Sequence, residues 1–172
     1  GTNGINMSSA TAGQKSIGAI HWGSSATTVR TITNSSGTVA GTLTLNGITL
    51  NSVSNTIIRN ASSGNHIIAN GGFGFTLGLG NLTNNVIAID GSGNVTISCV
   101  ISGSSKILGI AGGGSGRIDI TNASNSFSNT ANQINITGSE VRFTVDGSLG
   151  TAPVSAVSNH IIINGGRLAF LS

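Results

Sequence analysis

Four carboxylates could act as acid, base or nucleophile in this 172-residue chain: Asp90, Asp119, Glu140 and Asp146. Glycoside hydrolysis needs two carboxyls facing each other across the scissile bond. Asp119 in RIDITN and Glu140 in EVRFTV are the best such pair, because both fall on the outward side of strand-like segments. Their spacing argues for another role. Twenty-three residues separate Arg117 from Glu140 and Asp119 from Arg142, and 27 separate Glu140 from Arg167. If these segments stack as neighbouring strands, ~4.8 Å apart, opposite charges meet in both columns. Arg117, Glu140, Arg167, Asp119 and Arg142 are therefore expected to form a structural charge ladder. Paired charges of this kind usually stabilise and only sometimes catalyse, so no catalytic residue is assigned.

The remaining reactive side chains are sparse. His21, His66 and His160 lack the spacing of a metal cluster. Cys99 is the only cysteine, so no intrachain disulfide forms, and the alternation in VTISCV turns it inward as a small hydrophobe. Trp22 in AIHWG reads as core or N-terminal packing, and Lys15, Arg30, Arg59 and Lys106 as scattered surface charges. No cofactor is implied. The net charge of +3 rests on seven Lys and Arg with no basic cluster, which argues against a nucleic-acid partner. No apolar run is long enough to span a bilayer as a helix.

The elements that carry these residues are short and β-branched. Only 6% of residues are charged, and Gly, Asn, Ser and Thr separate brief runs of Ile and Val. This is an all-β pattern. NHIIANGG at 65–72 returns as NHIIINGG at 159–166, 94 residues later. Related segments fall between them, which suggests the series Ile67, Ile87, Ile107, Ile134 and Ile161. On this series His66 and His160 share one phase, four coils apart. A second series aligns Phe73, Val95, Ile118, Val141 and Leu168. Two series with periods of about 20–30 residues indicate a solenoid in which each coil is one rung. Equivalent strands recur after a whole coil, so they should stack in parallel. The expected fold is a right-handed parallel β-helix. Its inward stack would run Phe75, Ile97, Ile120, Phe143 and Phe170.

Corners are marked by Asn46, Asn70, Asp90, Asp146 and Asn164, each followed by glycine. Asn and Gly tolerate the positive φ of tight turns, and the amides are expected to stack from rung to rung. The outward pairs of the second series mix Asn, Thr, Arg, Asp, Glu and Ala. They offer no regular threonine array of the kind that binds ice.

The order of motifs over 93–170 resembles the autotransporter-associated β-strand repeat. The matching units read GRIDITNASNSFSN, with Phe127 at the usual tyrosine position, then SEVRFTVDGSLG and IIINGGRLAF. Residues 36–90 look like the looser rungs that precede such repeats, so 1–172 forms a single solenoid segment. The resemblance implies a secreted passenger segment on the outer surface of a Gram-negative-type bacterium, with no catalytic residues to transfer. The reading is therefore a rod-like structural segment of an extracellular surface protein, adhesin or fibre. The runner-up is a carbohydrate-binding or carbohydrate-cleaving β-helix, with surface glycans as partners. Gly1 in place of an initiator methionine suggests a processed or cut chain. No cap follows Leu168 and Phe170, and only Met7 and Trp22 offer a partial plug at the other end. Further rungs, or a second copy met head to tail as in a filament, are the expected partners of the ends.

Overall fold

The computed structural model describes residues 14–34, 40–80, 84–103, 105–127 and 134–171. Met7 and the short stretches 35–39 and 81–83 within the looser rungs lie outside them. The chain runs through β1 (Gln14–Ile17), β2 (Ile20–Trp22) and β3 (Arg30–Thr33) in its first coil. The second holds β4 (Gly41–Leu45), β5 (Ile48–Leu50), β6 (Val53–Asn60) and β7 (His66–Ala69). The third holds β8 (Phe75–Leu79), β9 (Asn84–Ile89) and β10 (Val95–Ile97), and the fourth β11 (Val100–Gly103), β12 (Ile107–Ala111) and β13 (Arg117–Ile120). The fifth has β14 (Ser126–Phe127), β15 (Ile134–Ile136) and β16 (Glu140–Phe143). A 3-10 turn at Asp146–Leu149 and a long connection lead to β17 (Ile161–Ile163) and β18 (Arg167–Phe170).

Three parallel sheets result, one strand from each per coil. The first is β1-β4-β8-β11-β14, the second β2-β6-β9-β12-β15-β17 and the third β3-β7-β10-β13-β16-β18. The molecule is thus a parallel β-solenoid of about five turns. Among the described residues antiparallel pairing enters once, where β5 folds back on the first half of β6 through a tight turn at Asn51 and Ser52, both at positive φ. This hairpin lies beside the stretch of β6 that β2 leaves uncovered, since β2 pairs only with Ile58–Asn60.

Inward side chains stack in continuous columns because parallel strands in register place like positions over one another. In the second sheet the column is Ile20, Ile58, Ile87, Ile110, Ile136 and Ile163. In the third it is Ile32, Ile68, Ile97, Ile120, Phe143 and Phe170. Ile58, Ile87, Ile110, Ile68, Ile97 and Ile120 have no exposed surface at all. Each such side chain contributes about 1.5–3 kcal/mol on leaving water.

The structure departs from three expectations. Phe75 is buried, but it belongs to β8 in the first sheet, and Ile68 takes the place assigned to it in the third-sheet column. The twin octapeptides are not equivalent. NHIIANGG contains β7 of the third sheet, whereas NHIIINGG contains β17 of the second. Their phases are opposite. His66 and Ile68 point inward in β7, while Ile161 and Ile163 continue the inward columns of Ile134 and Ile136 in β17. A one-residue shift turns every side chain to the other face of a strand. The first series was also misaligned in between, because Ile110 rather than Ile107 pairs with Ile87.

The corners hold the coils together through asparagine, though not through stacked amides. Asn60 donates to the Gly93 carbonyl one coil on (2.9 Å), and Asn122 to the Ser98 carbonyl (3.0 Å). Asn65 accepts from the Asn94 N–H, and Asn94 in turn from the Arg117 N–H. Asn125 joins three coils, accepting from the Ile101 N–H (2.8 Å) and donating to the Ser148 carbonyl (2.9 Å). The marked corner residues act differently. Asn46 donates to Ser16 Oγ, Asn70 accepts from the Phe75 N–H, and Asp146 opens the 3-10 turn. Only Gly47 and Gly165 of the five following glycines take positive φ, at 75° and 104°. Gly71, Gly91 and Gly147 serve another need: a Cβ there would strike the backbone of Asn34, Ser62 and Ala123, so stacked corners have no room for one.

Candidate functional site

The outward face of the third sheet carries the densest chemistry. Its register sets Arg117 opposite Glu140, Asp119 opposite Arg142, and Glu140 opposite Arg167. Arg142 grips Asp119 with two bonds, Nε to Oδ1 at 2.8 Å and Nη2 to Oδ2 at 3.1 Å. This bond holds the Arg142 guanidinium above even its ordinary range, with Asp119 and Glu140 adding attraction. Arg167 reaches Glu140 at 2.8 Å, although its side chain remains 79% exposed. Arg117 departs from the expected pairing. Its guanidinium turns along its own strand to Asp119 (3.3 Å) and makes no ion pair with Glu140. Asp119 already satisfies two arginines and its side chain is only 10% exposed, so it offers no free oxygen to a substrate.

A groove of about 420 Å3 opens beside the ladder, where the corners at Gly114–Gly116, Ser139 and Gly165–Gly166 step past one another. Arg117, Glu140 and Arg167 line it, and no aromatic ring does. Glu140, its one carboxylate, is bound by Arg167 and lies 3.9 Å from Arg142. A sugar-cleaving groove needs a second carboxyl across the sugar, and a sugar-binding one is favoured by an aromatic platform.

A second cluster went unread in the sequence. Arg59 is not a scattered charge: its Nε meets Asp90 Oδ2 at 2.7 Å, and its Nη1 lies 3.3 Å from His21 Nε2. Asp90 thus anchors an ion pair as well as a corner. Only knowledge that β6 stacks on β9 could have found this.

The third cluster is interior. His66 falls in the inward column between Arg30 and Val95, fully buried, with its ring stacked on Trp22 at 4.4 Å. Trp22, 7% exposed, is therefore core packing at the N-terminal coil. Ser62 Oγ lies 2.8 Å from His66 Nε2 and 2.7 Å from Asn60 Oδ1. A serine beside an imidazole suggests a nucleophile, and the hydrogens argue otherwise. Asn60 Oδ1 can only accept, so the hydroxyl donates to it. The hydroxyl oxygen then accepts from the Gly64 N–H and from His66 Nε2–H. The imidazole is thus a donor to the serine and cannot take its proton. This tautomer leaves Nδ1 as a bare lone pair, consistent with its lack of a partner, where the opposite choice would bury an unmet N–H. Burial lowers the His66 pKa below the usual histidine range, and the charge of Arg30 pushes the same way.

Cys99 is buried, and its thiol is pushed up to about 12 by desolvation, so it stays protonated and inert. Among the described residues no three His, Cys, Asp or Glu side chains converge, and no helix is long and apolar enough to cross a membrane. His160 lies in a small apolar hollow with Asp146, Leu149 and Pro153, on a different sheet phase from His66. Comparison with protein-family models, curated proteins and solved structures finds no match.

Proposed function

We propose that this chain is a rigid, rod-forming segment of a secreted bacterial surface protein or fibre, related to the autotransporter-associated repeat. The observation that carries the rod reading is the in-register stacking of three parallel sheets over about five turns, each coil resting on its neighbours. In the last coil the inward residues Ile163 and Phe170 are 52% and 63% exposed, whereas Ile136 one coil back and Ile120 two coils back in the same columns have no exposure. Among the described residues, no strand lies beside the outer edges of β17 and β18. A solenoid with such an end gains by adding another coil, from its own chain or from a second copy, because stacking covers the core and pairs the edge together. A rod of about five turns rises only roughly 24 Å, so length comes from repetition.

The surface reading is supported by the order of GRIDITN, EVRFTVDGSLG and IIINGGRLAF along the chain. It is also supported by a surface whose chemistry is spent on holding coils together. Light scattering of the isolated chain across a concentration series tests the end-to-end arm. Mass should rise with concentration, and Phe170→Lys should suppress the rise. A monomer at all concentrations would remove self-association. Cleavage of pectin, alginate, xylan or peptidoglycan that Glu140→Gln abolishes would replace the structural reading with the carbohydrate-active one.

A further inference from the structure

Three Asn–Gly pairs fall among the described residues, at 46–47, 70–71 and 164–165. Such pairs share a latent reaction. The glycine backbone nitrogen attacks the asparagine Cγ, a C–N bond closes a five-membered succinimide, and ammonia leaves. Water then opens the ring at either carbonyl, giving aspartate or isoaspartate. Glycine favours the attack because it has no side chain to crowd the nitrogen. The reaction still needs a side chain free to turn and an N–H free to move.

Both freedoms are restricted in two pairs, by hydrogen bonds at Asn46–Gly47 and by a side-chain hydrogen bond and close backbone packing at Asn70–Gly71. Asn46 donates to Ser16 Oγ at 2.7 Å, and the Gly47 N–H is held by the Gly18 carbonyl at 2.7 Å. Asn70 Oδ1 accepts from the Phe75 N–H at 3.0 Å, and Gly71 is pressed against the Asn34 backbone. Asn164 and Gly165 are both exposed. Neither the Asn164 side chain nor the Gly165 N–H bonds another described residue; Asn164 is tied only by its backbone N–H to the Ile136 carbonyl.

We propose that Asn164–Gly165 is a site of spontaneous deamidation in the folded protein, and that stacking protects the other two pairs from it. The product alters the partial coil. Only three residues, 164–166, link β17 to β18. Isoaspartate adds one carbon to that link and shifts β18 against β16, whose pairing sets Arg167 over Glu140. Either product places a new carboxylate at the corner that lines the Arg117–Arg167 groove.

The test incubates the folded chain in mildly alkaline buffer near body temperature. Peptide mass spectrometry reads conversion at each site, and isoaspartyl methyltransferase labelling reports the isoaspartate share. A parallel sample is held in urea. Conversion at Asn164 should exceed that at Asn46 by about tenfold or more, since breaking one or two hydrogen bonds of ~1 kcal/mol raises the barrier accordingly. In urea the three rates should converge. Asn164→Gln should remove the fast component. Circular dichroism during incubation checks that the chain stays folded. Asn46 or Asn70 converting as fast as Asn164 in the folded sample would overturn the proposal. So would an Asn164 rate as low as theirs.

Discussion

Trp22 and His66 form a stacked pair in which one ring reports on the other. His66 is buried neutral, with its lone pair at Nδ1 unmet and Arg30 as the charged group that acts on it. When folded, its pKa lies below the ordinary histidine value of about 6.5. The unfolded chain therefore binds the proton first as pH falls, and stability depends on pH between the two values. The stability is fully present above about 6.5, declines as pH falls toward the depressed value, and levels off below it. Each pH unit in that window removes about 1.4 kcal/mol. Thermal melts from pH 7.5 to 5 (roughly the histidine range), followed by Trp22 emission, should show this decline. His66→Gln should flatten it. The carboxylates permit a sharper contrast. Asp119→Asn strips two arginines of a mostly buried partner and should cost about 1–2 kcal/mol. Glu140→Gln chiefly releases Arg167, which is already largely solvated, and should cost under ~0.5 kcal/mol in urea denaturation. Equal costs would mean that burial does not rank the rungs of the ladder.

Between elements, the joints are amides and glycine corners. Asn125→Ala leaves the Ile101 N–H and the Ser148 carbonyl without partners in a buried corner and should cost about 2–4 kcal/mol. Gly91→Ala forces a methyl into the Ser62 backbone and should cost about 2 kcal/mol or more, whereas Gly113→Ala meets open space and should stay within ~0.5 kcal/mol. The same joints explain which parts of the fold were legible in the sequence. From β10 to β16 each coil takes 23 residues in the third sheet, charges alternate with Ile and Val, and the register is fixed twice over. There the reading and the pairing agree residue by residue. Earlier, the β5 hairpin lengthens one coil to 38 residues, from Ile20 to its partner Ile58, and the next takes 29, from Ile58 to Ile87. A variable period leaves runs such as HIIA and HIII without a phase. Isoleucine fits both faces of a strand when one face is core and the other is shielded, so identical letters occupied different sheets. The Asn60–Ser62–His66 cluster was illegible for a related reason: a polar side chain at an inward position looks like an outward one until the register is known.

At the scale of the whole molecule, stability in a solenoid is a sum of coils and the interfaces between them, so it varies along the axis. The middle coils have neighbours on both sides. β9, β10, β12 and β13 each pair with two strands, and their inward isoleucines are fully buried. β17 and β18 pair with one strand each and leave Ile161, Ile163 and Phe170 partly in water. At the opposite end, the β5 hairpin covers part of the β6 edge, and Trp22 lies over His66. The two ends are therefore unequal, and fraying should be polar. Among the described residues, hydrogen exchange should be fastest in 161–170 and slowest in β9–β13, with β2 intermediate. Truncation of side chains should follow the same gradient. Ile120→Ala empties a closed column and should cost about 2–5 kcal/mol, while Phe170→Ala should cost less than ~1 kcal/mol, because most of that ring never left water. Phe170 meets Phe143 edge-on at 5.6 Å, so the loss will register mainly in the local exchange of β16 and β18. If more coils or a second copy cover this end, the order reverses at that position. Phe170→Ala would then become as costly as Ile120→Ala, and protection of 161–170 would rise with protein concentration. Comparing the exchange of 161–170 in dilute and concentrated samples separates an end that stands open from one that is covered.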